Sequence, residues 1–259
     1  MKNILKISYS IIFLLVGTLT VNAAEKVDLL KTDWSFKGLF GKFDRGSLQR
    51  GYQVYAEVCA SCHSMKYVSY RNLFEPGGPE FTEEQVKAIA ASFEITDGPN
   101  NDGEMFVRPA KLSDKFVMPY ENVKAAQAAN GGAYPPDMSV LAKARTGGVD
   151  YIYSLLLGYE DPPSGVTLDD GVYYNKFMYG NNIKMAEPLS DGLVEYSDGT
   201  TASKEQMAKD VTTFLMWAAE PHLESRHKMG FKAILYLIIL TILVYFSMKK
   251  IWSRIESEV

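Results

Sequence analysis

The chain reads as a mainly α domain with long loop insertions, held to a membrane by one C-terminal transmembrane helix. Three observations carry that reading. Apolar residues recur at helical spacing in separate segments, at Leu48, Tyr52, Tyr55 and Val58 and again at Met207, Val211, Phe214, Leu215 and Ala218. Between such segments lie stretches broken by Gly and Pro, of which Asn130-Gly131-Gly132-Ala133-Tyr134-Pro135-Pro136-Asp137 is the clearest. Near the end, residues 233–248 carry no charge. With Gly230 and Phe231 across a snorkelling Lys232, that run reaches about the 20 residues a bilayer crossing needs.

The N-terminus has the form of a secretory signal over residues 1–23. Lys2 and Lys6 supply the positive start, Ile11 to Val16 and Leu19 the apolar core, and Val21-Asn22-Ala23 the small-residue cleavage pattern. A retained anchor is the alternative. Residues 24–229 then form the exported body, 230–249 the membrane anchor and 250–259 a short cytoplasmic tail. Lys249, Lys250 and Arg254 lie beyond the anchor, but Arg226, His227, Lys228 and Lys232 precede it. Charge alone therefore does not orient the helix, and the signal does. Without the first 23 residues the chain has 25 basic against 31 acidic residues, a net charge of −6. An acidic body argues against nucleic acid as a partner and suits a basic protein partner.

From Trp34 to Phe43 aromatics alternate with Gly and Lys, the pattern of an extended arm over a folded body. Asp44 or Ser47 can cap the helix that follows. Gly51 inside it costs about 1 kcal/mol against Ala, so a close helix crossing is expected there. Residues 64–80 are turn-rich, and Thr82 with Gln85 makes a capping box for a helix buried through Val86, Ile89, Ala90 and Phe93. Residues 94–122 read as a long irregular insertion whose acids Glu94, Asp97, Asp102 and Glu104 belong to a solvated loop, with a docking surface as the alternative. Helices are expected from Asn122 to Ala129, from Ser139 to Ala144 and from Asp150 to Leu157. The aromatics Tyr173, Tyr174, Phe177 and Tyr179 suggest a loop layer packed over something flat. Ser203 and Gln206 open a last body helix, 204–219, as a second capping box, and Glu220-Pro221 ends it. That helix is expected to cross the first at Gly51, near Tyr55 and Trp217.

The chemistry concentrates at Cys59-Ala60-Ser61-Cys62-His63, which contains both cysteines of the chain. C-x-x-C-H is the attachment sequence of a c-type haem: two thiols add to the two vinyl groups, and the adjacent imidazole takes the iron. In bacteria this attachment takes place outside the inner membrane, which places the haem domain in the periplasm and agrees with the signal. A redox thiol pair would be expected in a βαβ context that the flanks do not show. A structural zinc needs four ligands, and His222 and His227 lie far off beside the anchor. A distal histidine is improbable for the same reason, so methionine is the natural sixth ligand. Met207 and Met216 belong to the last body helix. Met185, in Lys184-Met185-Ala186-Glu187-Pro188, stands out, while Met118 and Met138 stay open. Arg145, before Gly147-Gly148, could reach a buried propionate or stay a solvated surface charge.

These residues resemble the cytochrome c1 family, the haem subunit of ubiquinol-cytochrome c reductase. The matching runs are Cys59 to His63, Gly103 to Pro109, Lys111 to Asp114, Asn130 to Asp137, Arg145 with Tyr151 to Tyr159, Met185, Ala208 to Val211 and Trp217 to Pro221. The resemblance implies a c-type cytochrome domain with one haem c, Met185 as axial sulfur ligand and Arg145 at a propionate. It also implies Tyr151, Asn130 and the Pro135-Pro136 loop around the ring. The implied role is one-electron transfer from the Rieske iron-sulfur protein to cytochrome c, beside cytochrome b in a dimeric membrane complex. With both axial positions filled, the subunit itself would make and break no bonds. A haem enzyme such as a peroxidase would need an open sixth position, and a haem sensor would need a signalling domain. Two departures stand out: Glu187 replaces a proline common near the axial Met, and an extra disulfide of some members cannot form here.

Overall fold

The computed structural model describes residues 27–256, so the expected signal segment lies outside them. Its helices are α1 (Arg45–Glu57), α2 (Glu83–Ala91), α3 (Val123–Ala129), α4 (Leu141–Ala144), α5 (Gly148–Leu157), α6 (Lys204–Ala219) and α7 (Leu223–Glu256). Two short antiparallel hairpins add β1 (Glu94–Asp97) with β2 (Phe106–Pro109), and β3 (Tyr173–Tyr174) with β4 (Asn182–Ile183).

The body is organised on the crossing of α1 and α6. Asp44 caps α1 by accepting the Ser47 N–H at 2.7 Å, and Leu48, Tyr52 and Tyr55 turn inward, as their spacing requires. At Gly51 the two backbones meet so closely that a Cβ would lie 2.1 Å from the Asp210 carbonyl oxygen. Arg50, next to that point, holds the buried Asp210 through Nε at 2.8 Å and Nη2 at 3.2 Å. It also reaches Asp198 at 2.7 Å. Phe214 of α6 then lies among Tyr52, Tyr55 and Trp217, with ring centroids 5.4–5.8 Å apart. Trp217 also reaches Gly78, where a Cβ would lie 2.9 Å from its ring.

The arm is extended and buried through Trp34, Phe36 and Phe43. Trp34 Nε1 donates to Asp150 Oδ1 at 2.6 Å, which ties the arm to α5. Thr82 and Gln85 form both bonds of their capping box. At α6 only half of the expected box forms. Ser203 accepts the Gln206 N–H at 3.2 Å, while the Gln206 amide turns to Asp210.

Several expectations need correction. Residues 94–97 and 106–109 are not irregular, because β1 and β2 pair and Arg108 links Asp97, at the turn end of the hairpin, to Asp114 beyond its base. Asp97 is therefore ion-paired rather than simply solvated. Helix α4 starts at Leu141 instead of Ser139, whose hydroxyl accepts the Tyr67 N–H. Helix α5 starts at Gly148, two residues early, since Gly147 takes a left-handed φ of 87°. Of the aromatics at 173–179 only Phe177 is fully buried, and Tyr179 is 75% exposed. Helix α7 is longer than residues 230–249 and contains them, and its candidate span Leu223–Ser253 has a mean hydropathy of 2.2 in its most apolar window.

Candidate functional site

Helix α1 stops at Glu57, and the chain tightens into a 3-10 turn, Cys59–Ser61. The Cys59 carbonyl accepts from Cys62 N–H at 3.1 Å and His63 N–H at 2.9 Å, so the whole pentapeptide is wound on one oxygen. Ser61 Oγ closes the turn on the Val58 carbonyl at 2.8 Å. Both thiols are free and half-buried. Burial, and then the neighbouring Cys62, push the Cys59 thiol up to about 12. It is protonated at neutral pH.

His63 is 9% exposed, and its Nδ1 sits 2.8 Å from the Pro136 carbonyl oxygen. A carbonyl oxygen only accepts, so Nδ1 carries the hydrogen and Nε2 presents the lone pair. Burial holds the ring pKa below its usual value, which keeps the imidazole neutral. This is the arrangement of metal-ligating histidines, with the far nitrogen fixed on a backbone carbonyl. Tyr55 of α1 donates its hydroxyl to the His63 carbonyl at 3.3 Å, tying the ligand to the core.

The Pro135-Pro136 loop is held in turn by Asp137. Its carboxylate accepts from Ser64 Oγ at 2.8 Å, Lys66 N–H at 3.0 Å and Ser139 N–H at 3.0 Å. Burial works against its charge, but these bonds win and hold its pKa below the ordinary value. Sequence reasoning passed over Asp137. The available signal was an Asp directly after a double proline with Ser two residues on, a pattern that folds into an Asx turn.

The Met185 segment is tied to the same region by single bonds. Tyr159, just after α5, donates its hydroxyl to the Met185 carbonyl at 3.1 Å. Lys184 Nζ reaches the Gly131 carbonyl at 3.0 Å, joining the methionine loop to the Asn130 turn. Tyr151 of α5 donates to Met178 Sδ at 3.3 Å. Asn130 commits its amide to Tyr120 and to the Ala126 carbonyl, closing α3. Glu187 pairs with Lys204 at the start of α6. Of the other candidates, Met118 is 52% exposed, and Met138 is buried in the proximal loop, with its N–H on the Ser64 carbonyl at 2.8 Å. Arg145 is exposed at the end of α4 and has no carboxylate partner among the described residues. It lies close enough to Tyr151 to favour that phenol's ionised form, against the burial that raises its pKa.

Among the described residues no three His, Cys, Asp or Glu gather into one group. The donor set instead fits a haem: two adjacent thiols, a neutral imidazole with a free Nε2, and a thioether on a separate loop. A mostly helical body built on that turn, continuous with one long apolar helix, has the make-up of a membrane-anchored c-type cytochrome.

Comparison with known proteins narrows the class. The family model described as "Cytochrome C1 family" matches residues 34–255. The chain is 48% identical to potato "Cytochrome c1-2, heme protein, mitochondrial" over 94% of both chains. It is 46% identical to Rhodospirillum rubrum "Cytochrome c1" over 89% of each. Bradyrhizobium diazoefficiens "Cytochrome b/c1" is 51% identical over 85% of this chain, which spans 35% of that longer protein. The chain belongs to the cytochrome c1 family.

Proposed function

We propose that the chain is the one-electron carrier subunit of ubiquinol-cytochrome c reductase, taking electrons from the Rieske iron-sulfur protein and delivering them to cytochrome c. Cys59 and Cys62 would hold a single haem c through thioethers, with His63 and Met185 as axial ligands. When bound, that haem supplies a reversible one-electron couple. The observation that carries this reading is the Pro136 carbonyl on His63 Nδ1, because it leaves Nε2 as a neutral, oriented donor. The Cys59 carbonyl holds His63 beside the thiols, and Asp137 keeps the Pro136 loop in place.

The distal residues support the same role. Tyr159 and Lys184 hold the Met185 loop against α5 and the Asn130 turn, and a bound sulfur there would close the sixth position. Arg145, exposed and without a carboxylate partner among the described residues, would pair with a propionate, with Tyr151, Asn130, Pro135 and Pro136 bordering the ring. In this reading residues 1–23 are the export signal and 24–229 the haem body in the periplasm. Residues 230–249 cross the bacterial inner membrane once, and 250–259 form the tail. The subunit sits beside cytochrome b in a dimeric complex. The name of one relative, the Candida albicans "Cytochrome b-c1 complex catalytic subunit", agrees with such an assembly.

The test is haem retention and ligation. Expressed with export and haem attachment intact, the purified chain should keep its haem through acid-acetone extraction and show the weak near-infrared band of sulfur ligation when oxidised. A haem that washes out, or rapid cyanide binding to the ferric form, would overturn the assignment.

A further inference from the structure

We propose that the N-terminal arm is a strap that positions Arg145 for a haem propionate. The inference rests on the propionate pairing proposed above and adds the residues that aim it. Arg145 has little of its own to set its direction. Among the described residues its guanidinium hydrogen-bonds only to the carbonyl of the preceding Ala144, at 3.3 Å. Its aim therefore follows the backbone of the turn that runs from Arg145 to Tyr151.

That turn is wound tightly on its own carbonyls. Gly148 N–H donates to the Arg145 carbonyl at 2.9 Å, and the Gly147 carbonyl accepts from Asp150 N–H at 3.1 Å and Tyr151 N–H at 3.4 Å. Gly147 and Gly148 both hold positive φ, at 87° and 55°. Two adjacent glycines give the turn freedom to move, so its stiffness has to come from outside.

The arm supplies that stiffness. Leu29 covers the turn so closely that a Cβ on Gly147 would lie 2.4 Å from Leu29 Cδ1. Leu30 N–H donates to Ser154 Oγ at 2.9 Å, and that hydroxyl donates to the Asp150 carbonyl at 2.6 Å. Trp34 Nε1 holds Asp150 Oδ1 at 2.6 Å, and Lys37 Nζ reaches Oδ1 at 3.2 Å and Oδ2 at 3.1 Å. Asp150 is 8% exposed. Burial works against its charge, but the bonds from Trp34 and Lys37 prevail and hold its pKa below the ordinary value. Trp34 itself packs on Phe36 and on Tyr153 of α5, with ring centroids 5.5 and 5.8 Å away. Apolar packing alone does not call for a buried carboxylate, whose desolvation is costly. Charge-assisted bonds to it fix direction as well as contact. The other end of the arm runs through Asp44 into α1, the helix that leads to Cys59. One strap thus joins the thiol-bearing helix to the turn that carries Arg145.

The experiment uses the full, haem-loaded chain in detergent and two changes that leave net charge alone. Trp34→Phe keeps an aromatic ring and loses the N–H. Leu29→Ala uncovers Gly147 from a half-buried position, so it spares the core if Trp34→Phe fails to fold. Amide exchange over residues 147–151 should become about ten-fold faster in Trp34→Phe. In redox titration, Arg145→Gln should lower the midpoint potential, because losing a cation beside a propionate favours the ferric haem. Trp34→Phe and Leu29→Ala should shift it the same way by less, and neither should shift it further on an Arg145→Gln background. Val86→Ala, buried in α2, controls for lost stability and should leave the potential unshifted. Unchanged exchange at the turn in both arm variants, or shifts that add to that of Arg145→Gln, would overturn the strap alone. An unshifted potential in Arg145→Gln would overturn the propionate pairing and the strap with it, so the two failures are read apart.

Discussion

Gly51→Ala is the sharpest probe of the scaffold. A Cβ at this position would stand 2.1 Å from the Asp210 carbonyl oxygen, 2.7 Å from its carbon and 2.7 Å from Phe214 Cβ. Two of these atoms are backbone and the third is the root of a side chain, so no rotamer can relieve the clash. Restoring ordinary contact at 3.4 Å needs α1 and α6 to part by about 1.3 Å. A shift of that size stretches Arg50 away from Asp210, whose side chain is fully buried. Overpacking costs typically 1–3 kcal/mol, and weakening the buried pair adds to it, so a loss of about 2–4 kcal/mol is expected. Helix propensity works the other way, by about 1 kcal/mol for Gly to Ala. Gly46→Ala on the same helix is the control, since its Cβ meets only side-chain ends, Arg50 Nη1 at 3.2 Å and Asp44 Oδ1 at 3.4 Å, and no backbone. Guanidinium unfolding in detergent, followed by tryptophan fluorescence, should show Gly51→Ala far less stable and Gly46→Ala near wild type. A Gly51→Ala chain within about 0.5 kcal/mol of wild type would refute the close crossing.

Three further outcomes are expected. Met185→Leu should lower the midpoint potential by a large margin in a redox titration while the haem stays covalently attached; an unchanged potential would point to Met118 or Met138. Asp137→Asn should cost about 1–2 kcal/mol near neutral pH by loosening the Pro136 loop. Because the folded pKa of Asp137 is depressed, its contribution is fully present above the unfolded carboxylate value and is lost as pH falls through the folded one, so the variant's stability should fall less steeply in acid. On heating, the near-infrared band of sulfur ligation should vanish below the main unfolding transition, because the Met185 loop is tied by lone bonds from Tyr159 and Lys184; coincident loss would contradict that weakness.

Local chemistry made much of this legible in the sequence. The Asp44 cap, the Thr82–Gln85 box and the close approach at Gly51 each follow from one residue type in one backbone setting. What escaped was mostly nonlocal. The β1–β2 hairpin has four-residue strands with little apolar alternation, and a cation at Arg108 braces it by meeting Asp97 at its turn end and Asp114 beyond its base. Arg50 reaches Asp198 and Asp210, about 150 residues away, which no periodicity records. The early start of α7 escaped because Glu224 and its charged neighbours look like a body surface, while Arg45 and the Phe43 N–H absorb that acid. At the site, the pentapeptide announced itself, and Asp137 did not, because its role depends on Ser64 and Lys66 far back in the chain.

The two halves of the proposed haem site differ in how their geometry is secured, and this difference bears on the proposed function. The proximal half is short-range. Cys59, Cys62 and His63 wind on one carbonyl, and His63 is fixed again by Tyr55 and Pro136. The distal half arrives about 120 residues later, on a segment whose ties to the core are few and partly exposed. Closing so long a loop is entropically cheap per added residue, but the methionine end gains little from local structure. In the proposed carrier role the sixth position would have to stay filled in both oxidation states, so the demand would fall on the weaker half. The Glu187–Lys204 pair sits where it can help, linking the residue two beyond Met185 to the first turn of α6. A proline there would have stiffened the loop through its backbone; a salt-bridged glutamate anchors it to the scaffold helix through its side chain instead.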